Sequence, residues 1–421
     1  MENKISPKIT RLLILFSFAM FVQTTAALSV IGGLGSIALE WHISPAATAL
    51  LVTAFGATFA LSAPILQMLV GHWVRRTQIL TGLSIMAVGA AAFALAPNYP
   101  VLFTARLFMG LGAALLSPVL LALGSSLVKP QQQGGALALV SMGISIATVI
   151  GVPASSWLAA HAGPRALFGI LAAILAGTAV LIAATARDRS RGERVSVSQA
   201  LHLLRTPSTL SGLFVVFFIT AGIFATYTMI TPIMQDVYGI SAHLISAALL
   251  VYGLSGLTGN LFVRRASAVW SAETLLRGAM LVLIALFAAL LVLPVSRALL
   301  WAALIAWPFV TDMVWPSQQR RMIELEPHFR GIALALSSSF LFSGMAFGSA
   351  LGGMAYTWHG FSAVLASSIV LISLGLGALT YSIHSKKALG QNRSEHVTDK
   401  KIVNLETRLP EPDLVMVGRA R

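Results

Sequence analysis

Two ionisable side chains stand inside apolar stretches of this 421-residue chain, and the search for chemistry starts with them. Asp312 lies in the run from Ala298 to Gln318, and Arg106 lies in the run from Pro100 to Val128. A carboxylate in hydrocarbon costs about 2.5–3.5 kcal/mol on insertion scales, so such a group normally faces a cavity or a partner. Two roles are open to Asp312. One is a proton carrier that exchanges its proton against a substrate. The other is a structural hydrogen-bonding or ion-pairing residue near the mouth of a helical bundle. Arg106 can bind substrate or take part in coupling, or its long side chain can snorkel to the membrane interface. Asp312 precedes Gln318 by six residues, about 9 Å along a helix axis at 1.5 Å per residue. Arg106 is about six residues from the opposite end of its own run. Their depths fall on opposite sides of the midplane, so a direct pair is not expected.

Neutral polar residues form smaller groups. Gln23, Thr24 and Thr25 sit together, as do Thr226, Tyr227, Thr228 and Thr231, and Asn260 stands near Gly256 and Gly259. Each can contact a substrate or make an interhelical hydrogen bond, and for a lone threonine the second role is the commoner one. Trp301, Trp307 and Trp315 could stack a flat ligand or serve as packing and interface anchors. No other chemistry is encoded. The chain has no cysteine, its nine histidines lack metal-ligand spacing, and it contains neither a phosphate-binding Gly-x-x-x-x-Gly-Lys loop nor a His-Glu-x-x-His pair. No nucleophile–base constellation appears. The expectation is therefore no enzyme, no metal and no cofactor, with the proton as coupling ion.

The elements that must position these residues follow from composition. The chain is 57% hydrophobic and 10% charged. A span of the hydrocarbon core takes about 20 apolar residues. Twelve apolar runs fit that length, at 12–36, 45–70, 78–96, 100–128, 134–160, 165–186, 209–234, 242–262, 274–294, 298–318, 331–356 and 361–384. The fold class is an all-α membrane protein of twelve transmembrane helices. Lysine and arginine set its orientation. If the loops are assigned alternately to two sides, all but Arg106, Arg165 and Arg297 of the 28 fall on one side. Cytoplasmic loops carry this excess, which places both termini in the cytoplasm. The net charge of +14 therefore faces anionic lipid, and nucleic acid is not expected as a partner.

The runs divide six and six around a polar, basic linker from Arg187 to Ser208, and they repeat. Gly134-Gly135-Ala136-Leu137-Ala138-Leu139 matches Gly331-Ile332-Ala333-Leu334-Ala335-Leu336 in all but one position, and the same offset relates Gly151 to Gly348. Val74-Arg75-Arg76 after the second run is echoed by Val263-Arg264-Arg265 after the eighth. Such duplication is the mark of a transporter built from two parallel six-helix pseudo-repeats. Residues 1–196 form the first half with the start of the linker, and 197–384 form the second. Residues 385–421 are expected to be a disordered cytoplasmic tail. Gly143, Gly151, Pro153, Gly344, Gly348 and Gly352 are spaced for close helix approach, and Pro153 can kink its helix.

Taken together, these residues resemble the major facilitator superfamily, and within it the bacterial drug:proton antiporter branch that includes arabinose-efflux permeases. The resemblance covers roughly 11–384. It rests on Ala63-Pro64-Ile65-Leu66, on Ala105-Arg106-Leu107 with Gly110 and Gly112, on Gly143 with Gly151-Val152-Pro153, on Leu203-Leu204-Arg205-Thr206-Pro207, and on Gly344, Gly348, Gly352 and Gly353. It implies the twelve-helix fold with helices one, four, seven and ten lining a central cavity. That makes Arg106, Asp312, Gln23, Tyr227 and Asn260 the candidate substrate and proton pathway. It also makes Gly71, Arg75, Arg76, Gly143, Gly151, Pro153, Gly344 and Gly348 candidates for gating and conformational change. Three positions depart from the family pattern. Arg75 stands where relatives usually have a gating aspartate, Ala27 where they often have a glutamate, and Gly163-Pro164-Arg165 where Gly-Trp-Arg is usual.

The reading that follows is a secondary active transporter in a bacterial inner membrane, functional as a monomer, exporting a small organic molecule against protons by alternating access. The alternatives are a uniporter or importer of the same fold, and a transport-inactive membrane sensor.

Overall fold

The computed structural model describes residues 6–129, 133–186, 190–191, 197–267, 269–326 and 330–406. Lys4, Arg187, Arg189 and Arg194, assigned above to the basic side, lie outside the described residues, as does the tail after Glu406. Among the described residues, eleven helices are long and apolar enough to cross a membrane. The last, Arg330–Glu406, is broken by non-helical backbone at His359 and Gly360, so the chain makes twelve traverses. We number them α1 (Pro7–Gly32), α2 (Pro45–Val70), α3 (Arg75–Ala94), α4 (Tyr99–Ser126), α5 (Gln133–Ile146 continued by Val152–His161), α6 (Gly163–Thr185), α7 (Pro207–Thr228), α8 (Ala242–Ala266), α9 (Ala272–Val292), α10 (Arg297–Leu325), α11 (330–358) and α12 (361–406). The chain is a multi-pass membrane protein. Helices are the form that satisfies every backbone polar group within its own segment, as lipid demands.

Local sequence sets the ends. The Ser44 hydroxyl accepts the Ala47 N–H at 3.1 Å and Asn98 Oδ1 accepts the Val101 N–H at 3.3 Å, with proline at the first turn of each helix. Ser271 and Ser296 cap α9 and α10 in the same way. Gly163 and Gly360, at φ +86° and +67°, turn the chain from α5 into α6 and from α11 into α12. They stand at the same offset as Gly151 and Gly348, so the repeat extends to the backbone conformation of its turns. Side chains such as Leu61, Val88, Val180 and Leu261 remain exposed on the outer faces, where lipid would meet them.

The expected spans match, with three additions. Helix α5 carries a π turn at Ala147–Gly151, in which the Val152 N–H bonds to the Ala147 carbonyl. Pro153 explains it: with no N–H at that position, the Val149 carbonyl loses its usual donor. Helix α7 breaks at Met229 and ends in a second π turn, Ile233–Val237. Helix α12 runs on to Glu406, through the first part of the segment expected to be disordered.

The glycines of α5 and α11 pack within their own halves. A Cβ on Gly143 would strike the Ser17 carbonyl, and one on Gly151 would strike the Thr25 hydroxyl of α1. On Gly344, Gly348 and Gly352 it would strike the carbonyls of Phe217, Ala221 and Ala225 of α7. Thus α1 pairs with α5 as α7 pairs with α11. The halves meet through different glycines. Gly56 of α2 rests on Phe342 and Ala346 of α11, Gly353 of α11 rests on Ala46 and Ala49 of α2, and Gly253 of α8 rests on the π turn of α5. Gly143, Gly151, Gly344 and Gly348 thus make the close helix approach their spacing predicts, each within its own half.

Gly348→Leu should cost about 1–3 kcal/mol of stability by forcing α7 off α11. Gly169→Leu, on α6 where nothing lies within 4 Å of an added Cβ, should stay within about 0.5 kcal/mol of the parent. Thermal unfolding in one detergent checks the contrast.

Candidate functional site

Asp312 sits on α10 between two helix-interior prolines, Pro308 and Pro316. Pro316 has no N–H to give the Asp312 carbonyl four residues earlier, so that carbonyl lacks its usual helical donor. The side chain lies against α8, where a Cβ on Gly256 would come within 2.5 Å of Oδ2. Among the described residues the carboxylate forms no ion pair. Tyr227 of α7 and Tyr252 of α8 lie within electrostatic reach of it.

Those two tyrosines stack at 5.0 Å between ring centroids, and Trp307 of α10 meets both edge-on at 6.1 and 5.3 Å. Phe287 of α9 closes the back of Trp307 at 5.3 Å. Trp307 Nε1 and Thr311 Oγ1, one helical turn apart, are buried without a hydrogen-bond partner. Each tyrosine adjoins a contact between the halves. Tyr252 precedes Gly253, and Tyr227 is one turn before Thr231, whose hydroxyl donates to the Ile31 carbonyl of α1 at 3.1 Å.

Arg106 is placed quite differently. It is fully buried within the first half, at 0% exposure. Its Nη1 donates to the Ala26 carbonyl at 3.0 Å, Nη2 to Ala27 at 2.8 Å and Nε to Leu51 at 3.2 Å, while the guanidinium lies 4.7 Å from the Phe55 ring centroid. One side chain of α4 thereby ties α1 to α2. It neither snorkels nor meets Asp312. Ala27 gives the arginine a main-chain acceptor.

The remaining candidates divide between these two regions. The Gln23 amide donates to the Ser117 hydroxyl of α4, leaving Gln23 Oε1 buried without a partner. Asn260 is half-buried on α8, one turn beyond Gly256. The structure therefore brings Tyr227 and Asp312 together, and keeps Arg106 and Gln23 in the other half. Tyr252 and Thr311 join the cluster although neither is among the residues singled out from the sequence. The spacing Tyr252, Gly256, Asn260 puts all three on one face of a helix, and that is the signal the sequence offers for Tyr252.

At the basic end, the α2–α3 loop is held by backbone groups. Gln78 Nε2 donates to the carbonyls of Gly71 and Trp73 at 3.3 and 3.0 Å, and Arg76 Nη2 donates to the Ala183 carbonyl of α6 at 2.5 Å. The Arg75 N–H donates to Ser190 of the linker at 3.0 Å, and Val74 forms a bridge with Arg191. So the loop docks on the linker through main chain. At the same end of the second half, buried Arg321 donates to the Ser382 hydroxyl at 2.6 Å and lies 3.6 Å from Glu273. At the opposite end Arg165 pairs with Glu40 at 2.6 Å, over the Trp41 ring.

Hydrogen bonds between the halves among the described residues join Thr53 to Ala346, Thr231 to Ile31 and Ser246 to Ser156. Phe59 stacks on Phe342 at 3.6 Å near mid-span. All lie from the middle of the spans to the end opposite the basic loops. Two six-helix halves, joined at one end over a half-satisfied polar cluster, define a membrane transport bundle. The chain belongs to the Major Facilitator Superfamily, whose family model matches residues 12–325. It is 27% identical over 383 residues to the uncharacterized MFS-type transporter YbcL of Bacillus subtilis, covering 89% of this chain and 97% of that protein. It is 26% identical over 392 residues to a chloramphenicol efflux pump of Mycobacterium tuberculosis, covering 90% and 94%. Its fold is similar to a bacterial homologue of the human lysosomal transporter Spinster in an inward-facing, occupied conformation. The TM-score is 0.71 at 15% identity, over 91% of this chain and 98% of that one. The protein is a membrane transporter of small molecules and not an enzyme.

Buried Arg106 and half-buried Asp312 should respond differently to substitution. Arg106→Lys, whose single ammonium cannot serve both α1 and α2, should cost about 1.5–3 kcal/mol, the range for a hydrogen bond to a charged group. Asp312→Asn breaks no bond and should stay within about 0.5 kcal/mol of the parent. Thermal unfolding followed by tryptophan fluorescence tests both. An equal loss in the two variants would give Asp312 a structural role.

Proposed function

We propose that this transporter works by alternating access and exports a small organic molecule in exchange for protons, with Asp312 carrying the proton. The observation that supports this best is the setting of Asp312: a carboxylate without an ion-pair partner, on the helix that also offers unpaired Trp307 and Thr311, beside tyrosines that adjoin the contact between the halves. A half-buried carboxylate with no fixed cation can exchange its proton with little rearrangement of the protein around it.

The contact pattern supports rocking of 1–196 against 197–384. With the basic loops assigned to the cytoplasm, contacts confined to the other end correspond to a state open to the cytoplasm. There the site loads substrate before turning outward. The efflux pump among the relatives supports export. In this reading the protein acts as a monomer in a bacterial inner membrane, without cofactor or nucleic-acid partner, and proton flow drives each cycle.

Two experiments test it. In liposomes with an imposed pH gradient, a panel of candidate compounds should include one whose movement the gradient drives. Asp312→Asn should abolish that drive while leaving substrate exchange at zero gradient. Gradient-driven transport of unchanged pH dependence in Asp312→Asn would remove the proton role. The rocking is tested separately. A valine at Gly253 would bring its Cβ within 2.6 Å of the Thr148 carbonyl and of Val149 Cα, which should disfavour closure of α8 on α5. In this cysteine-free chain, a single cysteine at Ser246 should react with an impermeant maleimide from outside far faster in the Gly253→Val background. Equal labelling in both backgrounds would contradict the rocking.

A further inference from the structure

The outer face of the second half holds a groove between α7 and α12, and no residue of the Asp312 cluster lines it. Its volume is about 490 Å³, within the range of about 300–1,000 Å³ typical of ligand sites. Leu210, Phe214 and Phe218 recur every four residues along one side of α7. Leu374, Gly377 and Tyr381 recur every three or four along α12. Gly377 leaves the gap between them, since nothing lies within 4 Å of a Cβ added there. Leu374 and Tyr381 are 50% and 60% exposed, so the groove opens sideways toward lipid.

Its length suits one lipid tail. From Pro207 to Phe218 is eleven residues, about 16 Å along the helix axis. One leaflet is half of the ~30 Å hydrocarbon core. The groove therefore begins at the polar end of α7 and stops near mid-membrane.

Polar groups collect at the mouth. Arg205 and Tyr381 both line the groove there, and both are exposed. Among the described residues neither has a hydrogen bond or an ion pair. Other arginines near helix ends are engaged: Arg165 with Glu40, Arg320 with Glu324, and Arg297 with the Gly239 carbonyl. Arg205 is held from behind. It ends the linker helix Val197–Arg205, whose Leu203 is buried against Leu213, Met322 and Ala333. The Thr206 hydroxyl donates to the His202 carbonyl of that helix at 3.1 Å. Glu326, the acid nearest this end of α7, accepts from Thr209, which is buried and does not line the groove. A guanidinium binds a phosphodiester through paired N–H donors, and a tyrosine at this depth suits the membrane interface. The mouth also lies at the basic end of the bundle, where anionic lipid collects. A zwitterionic lipid brings its own cation to the same place and loses that advantage.

We propose that this groove retains one anionic phospholipid, with its phosphate at Arg205 and Tyr381 and one acyl chain along Phe214, Phe218 and Leu374. Both walls belong to the second half, so the lipid stays with that half however the two halves move. It also fixes the end of the linker at the membrane surface. The site is independent of the role of Asp312.

Native mass spectrometry of the full-length protein tests this, by titration in detergent with phosphatidylglycerol or phosphatidylethanolamine of identical chains. The parent should hold one phosphatidylglycerol about fivefold or more tighter than phosphatidylethanolamine. Arg205→Gln should erase that preference, and Arg205→Lys, which keeps the charge, should stay within about threefold of the parent. Gly377→Leu fills the groove without a clash and should weaken both lipids about fivefold or more. Arg11→Gln, exposed at the basic end of the other half, should leave both within about twofold. Millimolar inorganic phosphate should not displace the lipid. Equal affinity of the parent for the two lipids would overturn the assignment. So would a loss in Arg205→Gln or Gly377→Leu no larger than in Arg11→Gln, or displacement by phosphate. Unfolding curves separate lost binding from lost structure, and the charge and groove variants test the site independently of each other.

Discussion

Inside a bilayer no water completes an unfinished polar group, so the chain itself must satisfy each one or leave it for a ligand. The rest of this structure follows from that constraint. The backbone folds into helices. The helices come together where glycine lets one backbone touch another, as at Gly348 on Ala221 and Gly253 on the α5 π turn. Arg106 is answered by three carbonyls, so its charge becomes a strut between α1, α2 and α4. Asp312 is not answered, and the groups beside it are left unanswered too. In the proposed reading, the contrast between the two charges separates scaffold from site.

Proline and glycine place the unfinished groups. Pro153 removes a donor from α5 and the helix takes a π turn, which presents main chain for Gly253 to pack against. Pro316 removes a donor at Asp312 itself. The breaks therefore lie where the halves meet or where the site opens, and the long unbroken segments serve as the rigid bodies between them. At the basic end, main-chain bonds from Val74 and Arg75 hold the α2–α3 loop on the linker.

Much of this architecture is legible in the order of the residues. The length of the apolar runs defines the twelve spans, and lysine and arginine define the sidedness proposed for them. The offset shared by Gly151 and Gly348 reveals the repeat, which Gly163 and Gly360 extend. Asp312 stands out because an acid in hydrocarbon is costly wherever it lies. Partners are what a linear pattern does not encode. That the acceptors of Arg106 are main-chain carbonyls of α1 and α2 is something side-chain types alone do not reveal. Gly143 and Gly344 are recognisable as packing residues, but which helix they touch depends on tertiary geometry. A lone tyrosine on a largely apolar helix, such as Tyr252, carries no signal until Tyr227 and Trp307 are seen beside it.

The central claim is that Asp312 carries the proton exchanged for substrate. Proton counterflow measures this directly. In weakly buffered liposomes, a compound that the parent transports, moving down its own gradient, should draw protons the other way across the membrane, and Asp312→Asn should show none. Substrate movement without proton counterflow in the parent, or the same counterflow in Asp312→Asn, would contradict the account.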